Sequence, residues 1–362
     1  MSDRTLLIIN YHSASLTARA IETARQSSSA PLRTMVVDNS ESGDEMDRLR
    51  TLPIDELIAA SSNLGYGRGI NLALPRCREG ELIISNPDVE FTGPAIDLLC
   101  AALDHSAEVA GPSLFWDESL QWMLPPAENT SVWSKAAEAA FQRWSFAGSF
   151  IGRRRCATRV KFWSGVSDVH VDHISGAVMA MRTDVLRRLG GFDERFELYF
   201  EETDLMTRLR KQGGAVRLVR SARCRHIFNQ SSSSPDESGR LYAKAEELYL
   251  GKWSHPWALE ALGRMKSSAR MAAPTPSPKT GGARLLRPGE PIGLPGPAED
   301  YLVEASPLRS FWSAAGCFPS ERKVLIPSEI VETYKGRELF ARVVDRSTLR
   351  PIPGLEFEIS VK

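Results

Sequence analysis

Three acids fall within four positions in the stretch YFEETDLMTRLRKQGG, residues 199–214: Glu201, Glu202 and Asp204. A carboxylate placed there can accept the proton of an attacking hydroxyl, the work of a general base. The same acids also suit a helix start, where the backbone dipole favours negative charge. Leu205 and Leu209 stand four apart, and Arg208, Arg210 and Lys211 gather before Gly213 and Gly214. This pattern predicts an amphipathic helix over about 202–212. The segment alone leaves both readings open.

A second group lies in NPDVE, residues 86–90. In an extended chain Asp88 and Glu90 face the same side. Hard cations bind through carboxylate oxygens together with substrate phosphates. A strand-end turn uses Asn, Pro and Asp just as readily. In SNLGYGRGIN the glycines Gly65, Gly67 and Gly69 stand two apart, which fits neither the dinucleotide fingerprint nor the P-loop. Such glycines let backbone approach a ligand or simply turn the chain. Arg68 there meets a phosphate or stays solvated. His226 closes an apolar run, and a lone histidine is a structural hydrogen-bonding group unless a carboxylate such as Asp88 lies beside it.

These groups need elements to hold them. TLLIIN and TMVVD read as short buried strands ending near Asn10 and Asp38. Between them SLTARAIETARQS has helical spacing. LIAASSNLGYGRGINLAL reads as strand, loop and helix; ELIISNPDVEF and EVAGPSLF as strands; PAIDLLCAALDH as a helix. This alternation predicts an α/β domain with a mainly parallel sheet, whose ligands sit beyond the carboxyl ends of the strands. Residues 125–167 read as less regular, basic and aromatic, a surface loop or a membrane contact. VDHISGAVMAMR then reads as a strand, TDVLRRLGGF as a short helix capped by Thr183, AVRLV and ARCRHIF as strands, and 236–253 as a helix. Pro, Gly, Ser and Ala dominate 272–297, a linker composition. The last residues, with KVLIPSEIVETY, ELFARVVD and GLEFEISVK, alternate like strands. The expected division is a main domain over 1–271, a linker over 272–298 and a small β-rich module over 299–362.

The 362 residues carry 45 Lys and Arg against 45 Asp and Glu. That balance gives no electrostatic footprint for nucleic acid. Five scattered cysteines without a C-x-x-C pair argue against a zinc ribbon or a disulfide framework. With no export signal read at the N-terminus, the expectation is a cytoplasmic protein. Self-association is left open.

LIINYHS, VVDNS, NLGYGRGIN, LIISNPDVEF, the long stretch VDHISGAVMAMRTDVLRRLGGFDERFELYFEETDLMTRLRKQGG and RCRHIF, in that order through most of residues 4–230, resemble glycosyltransferase family 2. These are the inverting transferases of GT-A fold, and the likeness is to their bacterial rhamnosyltransferase-like branch. The resemblance implies a Rossmann-like mixed α/β sheet flanked by helices, with the β-rich C-terminal appendage outside it. It implies transfer of a sugar, rhamnose or another hexose, from a nucleotide diphosphate to a hydroxyl on a glycan, lipid-linked or small-molecule acceptor, at the inner face of a membrane or in solution.

Residue by residue, the resemblance implies that Asp38 and the Asn10-Tyr11 strand end contact the nucleotide. The loop from Asn63 to Asn71, with Gly65 and Arg68, closes over it. Asn86 occupies the first place of the family's D-x-D, where an acid is usual. Asp88, the last place, and His226 hold a divalent cation, Mg²⁺ or Mn²⁺, with the diphosphate. Glu202 stands at the general base, a position commonly Asp. Glu201 and Asp204 support it. Asp172, Ser175 and Gly176 line the donor-sugar or acceptor pocket. Asp193 lies in a loop beside the acceptor, or caps a helix. Two other readings are a sugar-1-phosphate nucleotidyltransferase, whose basic glycine-rich loop is missing from IINYHSASL, and a non-catalytic glycan- or nucleotide-binding relative.

Overall fold

The computed structural model describes residues 3–103, 107–127, 130–143, 145–227, 235–271, 284–334 and 338–359. Two compact units divide the chain. The first holds 1–114, 127–129 and 166–252; the second holds 115–126, 130–165 and 253–362.

The first unit is built on strands β1 (Asp3–Asn10), β2 (Leu32–Asp38), β3 (Glu56–Ala59), β4 (Gly80–Ser85), β5 (Val89–Thr92), β6 (Val109–Phe115), β7 (Val169–Val171), β8 (Val178–Arg182) and β9 (Val216–His226). The sheet order is β3-β2-β1-β4-β8-β6-β9-β5, with β7 beside β9. β3, β2, β1 and β4 run parallel; the pairs of β8 with β4 and β6, and of β9 with β5 and β7, are antiparallel. The sheet is therefore mixed rather than mainly parallel. ELIISNPDVEF is two strands, because the Asn86–Asp88 turn carries the chain from β4 near the middle to β5 at the edge.

The central strands are apolar on both faces, as a sheet covered by helices requires. Leu6, Ile8, Val36 and Ile83 join one core with α1 (Ala14–Gln26) and α4 (Ala95–Ala101). Leu7, Ile9, Met35, Val37, Leu82 and Ile84 join the other, with α3 (Tyr66–Ala73), α7 (Thr183–Arg188) and α8 (Glu201–Lys211). The alternation of Leu6 and Leu7 between cores is the period of two of a strand. The short α2 (Gly43–Arg50) follows β2, and α9 (Pro235–Trp253) follows β9. Thr183 does not cap α7: Arg182 holds that place, and the Thr183 hydroxyl donates to the Arg78 carbonyl at 2.9 Å.

In the second unit the stretch expected to be irregular forms α5 (Val132–Arg143) and α6 (Ser145–Trp163), joined by α10 (Pro256–Met271). Its main sheet has the order β10-β16-β15-β12-β13, from β10 (Arg284–Leu286), β12 (Tyr301–Ser306), β13 (Ala315–Cys317), β15 (Leu339–Asp345) and β16 (Arg350–Ile359); β11 (Ile292–Gly293) pairs with β14 (Lys323–Val324). SEIVET is a helix, α11 (Ser328–Thr333). α6 lies on the sheet through Cys156 and Trp163, which pack with Leu302 and Val344. Arg159 between them donates to the fully buried Glu304 at 2.6 and 2.9 Å, and Arg342 donates to the other oxygen at 2.8 Å. So the second unit is larger than the expected module, taking in 130–165 and starting at Trp253. Two of its strands, β10 and β11, lie inside the expected linker. Residues 272–283 of that linker lie outside the described residues.

Candidate active site

The chain enters α8 through two consecutive left-handed residues, Tyr199 (φ 71°) and Phe200 (φ 67°). Neither is glycine, and the conformation costs roughly 1–2 kcal/mol for each. Aromatic packing on α9 holds them: the Phe200 ring lies 5.2 and 5.3 Å from those of Tyr242 and Tyr249, and Tyr199 lies 5.6 Å from Tyr242. Strain kept by surrounding structure is a mark of functional sites. Here it fixes the direction of the helix N-terminus that follows.

The three acids of that helix have three different environments. Asp204 is buried and accepts from Arg208 Nε at 2.8 Å, one turn on, and from Lys252 Nζ at 2.6 Å. Arg208 also donates to the carbonyls of Leu189 and Gly191. Asp204 is thus a structural anchor for the 189–194 loop. Glu201 is buried, and its Oε2 has no hydrogen-bond partner among the described residues. Burial, with the neighbouring Glu202 charge, pushes its pKa up to about 8. Glu202 is half-buried and accepts from the Thr203 hydroxyl at 3.1 Å. Burial raises its pKa as well. Raised carboxylate pKa values favour proton uptake near neutral pH.

Glu202 is seated on Gly176. A Cβ at Gly176 would stand 3.2 Å from Glu202 Cγ, tighter than ordinary packing. Tyr66, at the start of α3, donates its hydroxyl to the Gly176 carbonyl at 2.7 Å. Burial and the charges of Glu201, Glu202 and Asp88 hold that hydroxyl well above its usual pKa. Tyr66 therefore adjoins the seat of Glu202 at Gly176 and feels the charges of Glu201, Glu202 and Asp88. Ser175 makes the adjoining turn, accepting from the Ala177 N–H at 3.2 Å.

Asp88 and His226 meet because β5 and β9 pair with Val89 opposite His226. Both are buried, with Oδ1 and Nε2 3.3 Å apart. Two cis ligands about 2.1 Å from a small cation stand about 3 Å apart in octahedral geometry, so the pair fits a divalent ion whose other positions come from ligand oxygens. Glu90 does not join them: it pairs with Arg19 and Arg225 at 3.2 and 3.3 Å. Among the described residues no group of three or more His, Cys, Asp or Glu forms a complete metal site. Asn86 is positioned by its backbone, whose N–H donates to the Ala177 carbonyl at 2.9 Å.

At the ends of β1 and β2, Asn10 and Asp38 are register partners. The Asn10 amide donates to Asp38 at 2.9 Å and Glu45 at 3.0 Å, and its oxygen accepts from Thr17 at 2.8 Å. Asn10 thus orients Asp38 rather than presenting its amide outward. Ser40 adds a hydroxyl bond to Asp38 at 2.6 Å. Tyr11 is half-buried, edge-on to His12 at 4.6 Å. Glu45 is a member that sequence reasoning missed. Ser42-x-x-Glu45 has the form of a capping box, and Ser42 does accept from the Glu45 N–H. The Glu45 carboxylate, however, reaches Asn10 and the Ala14 N–H at 2.7 Å.

The glycine-rich loop is tied to 192–197. Gly65 has φ +77°, and a Cβ there would collide with the Glu197 carbonyl. Asn63 accepts from the Gly65 N–H at 3.0 Å. Arg68 donates to the Glu194 carbonyl at 2.7 Å, while Asn71 donates to the Phe192 carbonyl and accepts its N–H at 2.9 and 2.8 Å. Asn71 and Arg68 are therefore committed to holding this loop. Asp193 accepts from Arg195 and Lys252, which hold its carboxyl far below the usual range. Asp172 pairs at 3.0 Å with Arg210, whose backbone lies about 12 Å along α8 from that of Glu202 at 1.5 Å per residue. The acids thus separate into Asp88, Glu201 and Glu202 around Tyr66, and Asp172, Asp193 and Asp204 in ion pairs.

No family profile matches the sequence. The N-acetylglucosaminyl-diphospho-decaprenol L-rhamnosyltransferase of two Mycobacterium tuberculosis strains is 26% identical over 261 residues, which span 66% of this chain and 82% of that protein. The chain is a relative of a rhamnosyltransferase. This likeness bears out the resemblance read from the motifs. Among solved structures, a Pyrobaculum calidifontis mannosyltransferase with GDP-Man and Mn²⁺ aligns at a TM-score of 0.41 and 15% identity over 76% of this chain and 79% of its own. The S. aureus TarS structure with UDP aligns at 0.42 and 12% over 67% and 64%.

Proposed function

We propose that the protein is an inverting glycosyltransferase that moves a deoxyhexose such as rhamnose from a nucleotide diphosphate to a hydroxyl acceptor. The observation that carries this reading is the seating of Glu202 on Gly176, whose carbonyl accepts from Tyr66, together with the buried Asp88–His226 pair. Glu202 accepts the acceptor hydroxyl's proton as that oxygen attacks the anomeric carbon, and a single displacement inverts the sugar. Glu201, behind it, keeps the local charge low. Asp88 and His226 would hold a divalent cation, which supplies positive charge to the departing diphosphate. Asp38, oriented by Asn10, Ser40 and Glu45, is the nucleotide-binding group. Asn63, Gly65, Arg68 and Asn71 shape the loop over it.

The acceptor class we infer, in keeping with the relative's name, is a sugar on a polyprenyl diphosphate. A lipid-linked acceptor is met at a membrane surface, and no helix among the described residues is long and apolar enough to cross one. The test is Glu202→Gln. Donor binding should persist within about threefold while transfer falls at least a hundredfold, the share general-base catalysis commonly carries. Undiminished transfer by the variant overturns the assignment.

A further inference from the structure

We propose that α5, α6 and α10 of the second unit form a surface that docks on an anionic lipid bilayer. The inference stands on these helices alone, so vesicle binding and sugar transfer can fail separately. α5 packs against both α6 and α10. Together the three helices carry ten Lys and Arg against two Glu, in a chain whose charges balance overall. α6 has five basic residues and no acid. Its buried side, Cys156, Arg159 and Trp163, is spent on the sheet. Arg155 is likewise occupied, donating to the Trp312 carbonyl and stacking on its ring. Arg153, Arg154 and Lys161 remain exposed on the other side.

The aromatics point the same way. Among the described residues the three most exposed aromatic side chains are Trp133 (71%), Trp257 (61%) and Phe150 (58%), one on each helix. Arg154 lies 5.8 Å over the Phe150 ring. The two glutamates are neutralised locally, Glu138 by Lys135 and Glu260 by Arg264, both at 2.7 Å. Exposed Trp beside Arg and Lys is the chemistry of the headgroup layer, where rings enter the boundary and cations meet lipid phosphates. Charge complementarity selects an anionic bilayer over a neutral one, since each cation near such a surface strengthens attachment about fivefold.

The test is flotation of the full chain with phosphatidylcholine vesicles, with and without phosphatidylglycerol, at low and high salt. The wild type should float with the anionic vesicles only, and release in salt. Arg153→Ala combined with Arg154→Ala should weaken partitioning roughly thirtyfold at unchanged thermal stability. Trp133→Ala combined with Trp257→Ala should weaken it without changing the salt dependence. Failure of the wild type to float, or unchanged binding by the arginine pair, overturns the proposal. So does a concentration-dependent dimer in place of vesicle binding, which would make the surface a contact between copies.

Discussion

Glu201→Gln should make the protein more stable, increasingly so as pH rises. In the folded protein burial and Glu202 lift the Glu201 pKa from 4.5 to about 8. Below pH 4.5 the carboxyl is protonated in both folded and unfolded chains, and its titration contributes nothing. Above that, the unfolded chain ionises freely while the folded one holds its proton, so the folded state loses about 1.4 kcal/mol per pH unit until the folded pKa is passed. Glutamine abolishes this loss. Costs independent of pH, such as the amide's own missing partners, cancel when two pH values are compared. Between pH 5 and 7.5 the variant's advantage over wild type should therefore grow by about 3 kcal/mol. For a unit of this size that is roughly 6–12 °C in Tm. Glu202 remains in both proteins, and the pair titrates as a unit. Denaturant unfolding of both proteins at half-unit pH steps measures the difference directly. An advantage that stays flat from pH 5 to 7.5 would refute the buried, proton-holding environment assigned to Glu201.

Other substitutions probe the scaffold. Gly65→Ala should cost about 2 kcal/mol or more in urea unfolding, since the added methyl meets the Glu197 carbonyl at a positive φ. Asn71→Ala removes both bonds to Phe192 and should cost about 1–3 kcal/mol, with faster protease cleavage at 190–195. Arg159→Met leaves Glu304 buried with Arg342 alone and should destabilise the second unit by about 3–5 kcal/mol, read by tryptophan fluorescence during unfolding.

What the sequence disclosed depended on how local the signal was. α8 could be placed within a residue because its apolar spacing, acidic start and Gly213–Gly214 stop all lie inside one stretch. The same held for α9, and β1 and β2 were placed with their ends right and their starts two residues late. α6 was hidden because Phe150, Ile151, Val160 and Phe162 are spread around the helix while its buried face includes an arginine. That arginine becomes legible only beside Glu304, 145 residues on. The same distance effect sorted the acids. Nothing in FEETDL or GGFDE distinguishes Glu202, on Gly176, from Asp204 and Asp193, which meet Lys252 across 48 and 59 residues. β8 and β9 were read as strands, but their antiparallel direction was not, because strand direction depends on partners rather than composition. Asp88 and His226 were paired through the family resemblance, and the β5–β9 register supplies the physical reason.

Calorimetric titration of a dTDP-deoxyhexose into the purified chain, with and without Mn²⁺ and repeated with Asp88→Ala, tests the central claim most directly. The account predicts saturable binding that strengthens at least tenfold with the ion in the wild type, and no such strengthening in the variant. Absence of binding by a folded wild type across dTDP-, UDP- and GDP-sugars, with the ion present, would contradict it.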